Sequence, residues 1–129
     1  MPVTYTIDRE LNTVHTVCSG NVTYEEIAAH FAQLTADPEL PDRIDILLDV
    51  SQTTSLPESQ QIMSVSIEIE NLSTVTKLQA CAMVAQDDVL FGMVRMLEAF
   101  AEKLFSSMNV FRTLDEAQAW LAAERDKRA

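Results

Sequence analysis

The sequence predicts an α/β fold: one layered domain over residues 1–129, a mostly parallel five-stranded sheet with four helices in the order β-β-α-β-α-β-α-β-α. Three observations carry this. Two apolar runs, "IDILLDV" from Ile44 and "KLQACAMVA" from Lys77, lack the polar alternation of a half-exposed strand and read as strands buried on both faces, as in a parallel sheet. Helix-start signals of the form Ser/Thr-x-x-Glu recur at Thr23/Glu26, Ser55/Glu58 and Thr113/Glu116, each ahead of a helical pattern. At 129 residues and 47% hydrophobic, the chain can bury roughly two-thirds of its unfolded surface without disulfide or metal staples.

Taken in order, "VTYTID" and "LNTVHTVCSG" are short β-rich runs separated by Arg9 and Glu10, an antiparallel hairpin. The Thr23/Glu26 box opens a helix that buries Ile27, Phe31 and Leu34 and stops before Asp37-Pro38, because the residue ahead of proline avoids the helical region. "IDILLDV" follows as the central strand. The next segment, Leu56 to Leu72, is ambiguous: "MSVSIEIE" alternates like an exposed strand. Its length, lack of internal glycine and preceding helix-start residues favour a helix, with Ser55 as N-cap, Glu58 its capping-box partner and Pro57 in the first turn. On a helical wheel it carries two apolar stripes, Ile62, Val65, Ile69 and Leu72 on one side and Leu56, Met63 and Ile67 nearly opposite. A sheet buries only one of them, so the other needs a helix, a second subunit or a ligand.

"KLQACAMVA" leads into "QDDVLFGMVRMLEAFAEKLF", a helix capped by Asp87 with Asp88 in its first turn. Its apolar face runs from Val89 and Leu90 through Met93, Val94, Met96 and Leu97 to Phe100 and Ala101, wider than one sheet contact requires. Phe91, Gly92 and Arg95 fall on the other side. An aromatic there, beside a mid-helix glycine that costs about 1 kcal/mol relative to alanine, asks for a reason. One reading is a pocket or partner contact lined by Phe91 and Arg95, with Gly92 permitting close approach; the other packs Phe91 under a loop and pairs Arg95 with Glu98. "MNVFR" is the last strand, and the final helix ends in Arg125, Lys127 and Arg128, which complement its dipole.

Charge and composition exclude several functions. A formal charge of −11 repels phosphate backbones and anionic lipid surfaces, so neither nucleic acid nor an anionic membrane is an expected partner. No apolar stretch reaches membrane-spanning length, and the N-terminus lacks a basic region followed by an apolar run, which leaves a cytoplasmic protein as the expectation. Cys18 and Cys81 lie inside separate apolar segments, without CxxC spacing or clustered histidines, and read as buried reduced thiols; no metal site or cofactor is expected. The "SLPE" turn is a poor phosphate cradle, since Pro57 removes an amide and Glu58 occupies the anion position. There is no GxSxG elbow, and His15 and His30 are the chain's only imidazoles, so no catalytic residue is assigned. Asp49 and Ser51 hold the remaining positional interest, at the carboxyl end of a central strand where open α/β sheets place ligands.

The element order, with "LLDVS" ending the central strand, "DDVLFGMVRM" after the next and "VFRTLDEAQAWL" at the end, resembles the bacterial SpoIIAA-like, or STAS-like, domain proteins over nearly the whole chain. The resemblance implies a small cytoplasmic domain of the anti-anti-sigma-factor fold, or a related SEC14-like variant, that binds proteins or apolar small molecules and is not usually an enzyme. In that family an Asp-x-Ser start precedes Asp-Ser-Ser-Gly, whose second serine is phosphorylated. Asp49, Val50 and Ser51 match the start, and counting without gaps puts Ser59 at the phosphorylated position, within Pro57-Glu58-Ser59-Gln60 rather than the family tetrapeptide. The leading expectation is a non-catalytic binding module that uses Met63 and Ile67 with Phe91, Gly92 and Arg95 to hold a protein partner or a small apolar ligand. A homodimer also suits the two wide apolar helices. The alternative is a small enzyme using Asp49, Ser51 and Asp87 around Arg95.

Overall fold

A computed structural model describes residues 2–128. The chain runs β1 (Val3–Asp8), β2 (Thr13–Gly20), α1 (Tyr24–Thr35), β3 (Arg43–Thr53), α2 (Ser59–Leu72), β4 (Lys77–Val84), α3 (Asp88–Ala101), a short 3-10 turn, β5 (Ser107–Phe111) and α4 (Leu114–Arg128). The element order is the one expected, including the helical reading of α2. The five strands lie in chain order, β1-β2-β3-β4-β5, with β1 antiparallel to β2 and every other pair parallel.

That order decides where the helices go. Successive right-handed crossovers that always step the same way across a sheet lay their helices on one face, so α1, α2 and α3 form a single layer in which α2 touches both neighbours. Beneath them Val14, Ile44, Ile46 and Met83 meet Phe31, Leu34, Ile62, Ile69 and Leu72 in the main core. The other face has only α4, packed on β3, β4 and β5. There Ala80, Ala82 and Ala117 are fully buried beside Leu47 and Leu121, and their small side chains let α4 approach the sheet closely.

Strand β3 carries two buried aspartates, each of which repairs an irregularity in the ladders. Between Ile44 and Ile46 the register with β4 slips by one residue, and Asp45 Oδ1 accepts a 3.0 Å hydrogen bond from the Ala80 amide on β4. Between Val17 and Ser19 the register with β2 slips likewise, and Asp49 Oδ1 accepts from the Ser51 amide at 2.9 Å. A bulge leaves an amide off the ladder, and a buried carboxylate supplies its acceptor. Asp45 has a second use. Its Oδ2 lies 2.7 Å from Arg128 and 3.6 Å from Arg125, so the end of α4 is tied to the middle of the sheet.

Three local expectations need correction. The Ser55/Glu58 box does not form: Ser55 Oγ accepts from the Val22 amide at 2.9 Å and donates to the Val22 carbonyl at 3.2 Å. With Ser55 taken by that long-range contact, the helix starts later, with Glu58 as N-cap and its amide donating to Gln61 Oε1 at 2.8 Å, and Pro57 precedes the helix. Strand β3 continues through Ser51 to Thr53, so Asp49 and Ser51 lie within it rather than at its end. Arg125 and Arg128 serve Asp45 rather than merely the helix dipole. The Thr23/Glu26 box forms as read, and at Thr113 the hydroxyl accepts from the Glu116 amide at 3.2 Å and donates to the Glu116 carboxylate at 3.0 Å, the cap without the return bond from the Thr113 amide.

Candidate functional site

The residues singled out from the sequence fall in three separate places. Asp49 and Ser51 stand on the α4 side of the sheet, where Asp49 is buried and its Oδ1 also accepts from Ser51 Oγ at 2.6 Å. These groups satisfy each other and the bulge. His15, paired in register with Leu47, stands on this same face, whereas His30 is buried on α1 in the opposite layer. Among the described residues no hydrogen bond joins either imidazole to Ser51 or Asp49.

Phe91, Gly92 and Arg95 do not build a pocket. The Arg112 guanidinium lies 4.0 Å over the Phe91 ring while it bonds Asp88 at 2.6 Å and the Gln86 carbonyl at 2.9 Å, so the ring is covered by a residue that tethers β5 to the start of α3. Arg95 pairs with Glu98 at 3.2 Å on the exposed side of α3. A methyl added at Gly92 would meet nothing within 4 Å, so no close approach inside the chain requires a glycine there. Asp87 accepts the Val89 and Leu90 amides at 2.9 and 3.1 Å, the capping role read for it, and this occupies the acid that the enzyme reading had set near Arg95.

The third place is an uncovered apolar surface. On α2 the inner stripe is buried as expected, while Met63 is 52% and Ile67 55% exposed, with Leu56 exposed just ahead of the helix. Val89 and Phe100 of α3 are exposed too. They share a stripe with Met93 and Met96 at helical spacing, on the flank bordering the α2–α3 seam that Met93 lines together with Ile62 and Val65. The result is an apolar strip along the outside of the helix layer. Ser59, exposed in the first turn of α2, lies one turn before Met63 on the same strip.

Sequence reasoning missed a fourth feature. Under the N-terminal halves of α2 and α3, over the carboxyl ends of β2 and β3, lies a cavity of about 100 Å³. It leaves Leu48 and Val50 partly accessible although both face the helix layer. His30 borders it, 6% exposed, with Nε2 3.3 Å from Thr16 Oγ1 and Nδ1 without a partner. Burial lowers the His30 pKa to about 4, so the ring is neutral near pH 7. Burial, then the charge of Asp49, pushes the Cys18 thiol up to about 11, and burial raises Cys81 as well, which leaves neither as a thiolate nucleophile at neutral pH. The only sequence signal for the cavity was His30 beside the apolar face of its helix.

Family models provide the remaining comparison: the model described as SpoIIAA-like matches residues 13–122. The chain belongs to the SpoIIAA-like family. The matched region of this SpoIIAA-like domain starts with β2 and ends inside α4, so it takes in the cavity, both stripes of α2 and the Asp49–Ser51 bulge. The family is one of STAS-like regulatory and binding domains. No curated protein matches the chain. Among the described residues no three His, Cys, Asp or Glu side chains cluster as a metal site, and no helix is long and apolar enough to cross a membrane.

Proposed function

We propose that this SpoIIAA-like domain is a non-catalytic binding module whose partner is a protein seated on the outer strip of α2 and α3. The observation that carries the reading is the exposure of Met63 and Ile67 on a helix whose other stripe is fully used by the core. Singly exposed apolar residues are ordinary, but a strip running over two adjacent helices marks an interaction surface. Glu70 on α2, Glu58 just ahead of α2 and Glu102 just after α3 are exposed, within a chain of charge −11. That favours a partner with an apolar centre and a basic rim over a second, equally acidic copy of this chain. Against the enzyme reading, Asp49, Ser51 and Asp87 are each engaged in local backbone bonds.

Ser59 is where such a module would be switched. A phosphate on this first residue of α2 would suit the helix dipole yet set a dianion beside Met63, in the apolar contact itself.

The test is photo-cross-linking in the cells that make the protein, with a photoreactive residue at position 63 and, as control, at the exposed Ala122 on α4. A product specific to position 63 and lost in Ile67→Asp is expected, while Ile67→Asp changes folding stability by no more than about 0.5 kcal/mol. Identical products from both positions, or an Ile67→Asp chain that unfolds, would overturn the reading. A cross-link to the chain itself would replace the foreign partner by a homodimer.

A further inference from the structure

The two edges of the sheet are finished differently. On β5 the Val110 amide is taken up by Asn109 Oδ1 at 2.9 Å. Strand β1 has no device of this kind: its ladder with β2 runs without a bulge from Val3 to Asp8, it holds no lysine, and Pro2 precedes the strand rather than interrupting it.

The Ser19 amide donates to the Pro2 carbonyl at 2.8 Å, which fixes the phase of the β1–β2 ladder. In an antiparallel pair, residues that exchange hydrogen bonds alternate with residues that do not. Thr4, Thr6 and Asp8 therefore turn their backbone groups to β2, and Val3, Tyr5 and Ile7 turn theirs to the open edge. Among the described residues, none of these outward amides and carbonyls has a partner. The side chains of the same three residues lie on the α1 side, where they line a groove of about 520 Å³ with Gln33, Asp37 and Glu39. A strand added at this edge sets its own alternate side chains along that groove, because residues opposite one another point to the same face.

The strand itself says what fits there. Val3-Thr4-Tyr5-Thr6-Ile7 reads almost the same backwards: β-branched aliphatic, threonine, tyrosine, threonine, β-branched aliphatic. Antiparallel pairing of two such strands about Tyr5 sets Val3 opposite Ile7 of the second copy, Thr4 opposite Thr6, and Tyr5 opposite Tyr5. This register uses every outward backbone group of the strand, whereas a slip of two residues either way leaves Val3 or Ile7 of each copy unpaired. No charge lies between Val3 and Ile7, and Asp8 falls opposite Pro2 of the second copy, so the contact brings no two acids of the strands face to face.

We propose that β1 is a dimerisation edge, at which two copies of this chain pair antiparallel about Tyr5 and join their five-stranded sheets into one of ten strands. The two-fold axis then passes through the sheet, so the helix layers of both copies lie on the same face. Helix α1 of each copy stands between the joined edge and α2, so the strip around Met63 and Ile67 stays open and each dimer offers two of them.

The experiment reads the register by disulfide formation. Thr4 and Thr6 are exposed on the face away from the groove, so a cysteine at either position leaves the core untouched. Full-length Thr4→Cys and Thr6→Cys, one of them labelled with heavy nitrogen, are mixed, oxidised mildly and analysed by intact mass. Opposite residues that do not exchange hydrogen bonds have Cα atoms about 4.5 Å apart, within disulfide reach. The mixed dimer should be the main product; a slipped register would link Thr4→Cys to itself or Thr6→Cys to itself. Sedimentation of the wild-type chain should show a concentration-dependent dimer. Ile7→Pro, which removes an outward amide and no bond to β2, should raise its dissociation constant about tenfold with the melting transition retained. If Ile7→Pro does not fold, Val3→Pro removes the amide at the other end of the same pair. A wild-type chain that is monomeric at every concentration, self-linked or statistically mixed disulfides, or unchanged association in the folded proline variant would each overturn the proposal. The cross-link from position 63 reads a different surface, so the edge and the strip stand or fall separately.

Discussion

The two faces of the sheet are closed by different physics. Toward α1, α2 and α3 the seal is almost wholly apolar: long side chains from three helices meet long side chains from the strands, leaving a cavity. Toward α4 the apolar contact is thin and alanine-rich, and a buried carboxylate with two arginines completes it. Apolar packing is non-directional and tolerates an unfilled volume; an ion pair under a helix fixes one orientation and one register. The layer with space left in it is built from the forgiving interaction, and the tightly closed layer from the directional one.

The largest effect should come from breaking the directional face. Arg125→Ala with Arg128→Ala leaves Asp45, 0% exposed, with the Ala80 amide but without its cations. Removing the partners of a buried charge costs about 3–5 kcal/mol. Urea unfolding of the double variant should show that loss, with amide exchange rising first in α4. A loss below about 1 kcal/mol would mean that Leu121 and Ala117 hold α4 on their own, and the contrast between the faces would collapse.

The next effect probes the apolar face through pH. His30 has a native pKa of about 4 against an ordinary 6.5, a consequence of burial. Between those values the unfolded chain takes up a proton that the native chain refuses. Stability from this group is therefore intact above pH 6.5, falls as the pH drops, and is fully lost below about 4. At 1.36 kcal/mol per pH unit the loss is about 3 kcal/mol. Asp37, held low by its hydrogen bond from Tyr5, loses its contribution only below the ordinary carboxylate value of 3.8, beneath the His30 range. The informative quantity is therefore the difference between wild type and His30→Phe over pH 4 to 6.5, where the variant should be flatter. Parallel curves would mean that the ring already meets solvent and that the apolar seal is not closed over it.

How much of this was legible follows the same division. Periodicity found both stripes of α2 and picked out Ile62, Val65, Ile69 and Leu72 as the buried one, because the period of a helix alone decides which side chains share a face. Caps that use only local residues, at Thr23, Asp87 and Thr113, were readable for the same reason. What failed depended on distant partners. Ser55 was claimed by Val22, 33 residues away, Arg128 by Asp45, 83 residues away, and Phe91 by Arg112. The bulges that give Asp45 and Asp49 their roles exist only once β2 and β4 are in register beside β3. The cavity was invisible because a void is a property of several elements together. Of the site residues, Met63 and Ile67 came from a local pattern, whereas Phe91 and Gly92 were singled out for lacking a local reason.

Gly92 gives the smallest and cleanest prediction. It lies mid-helix with open space around the missing methyl, and its φ is not in the left-handed region. Gly92→Ala should therefore raise stability by about 0.8–1 kcal/mol, the full difference in helix propensity, measured as a higher urea midpoint at unchanged slope. Because the position is exposed and at a distance from Met63 and Ile67 on the other helix, the cross-link from position 63 should be unaffected. A stabilised chain that loses that cross-link would show that the partner's backbone comes down on α3 at Gly92, and the interaction surface would extend around the helix toward Phe91 and Arg95. A stabilised chain that keeps it would confine the proposed surface to the strip of Met63 and Ile67 with its neighbours on α3.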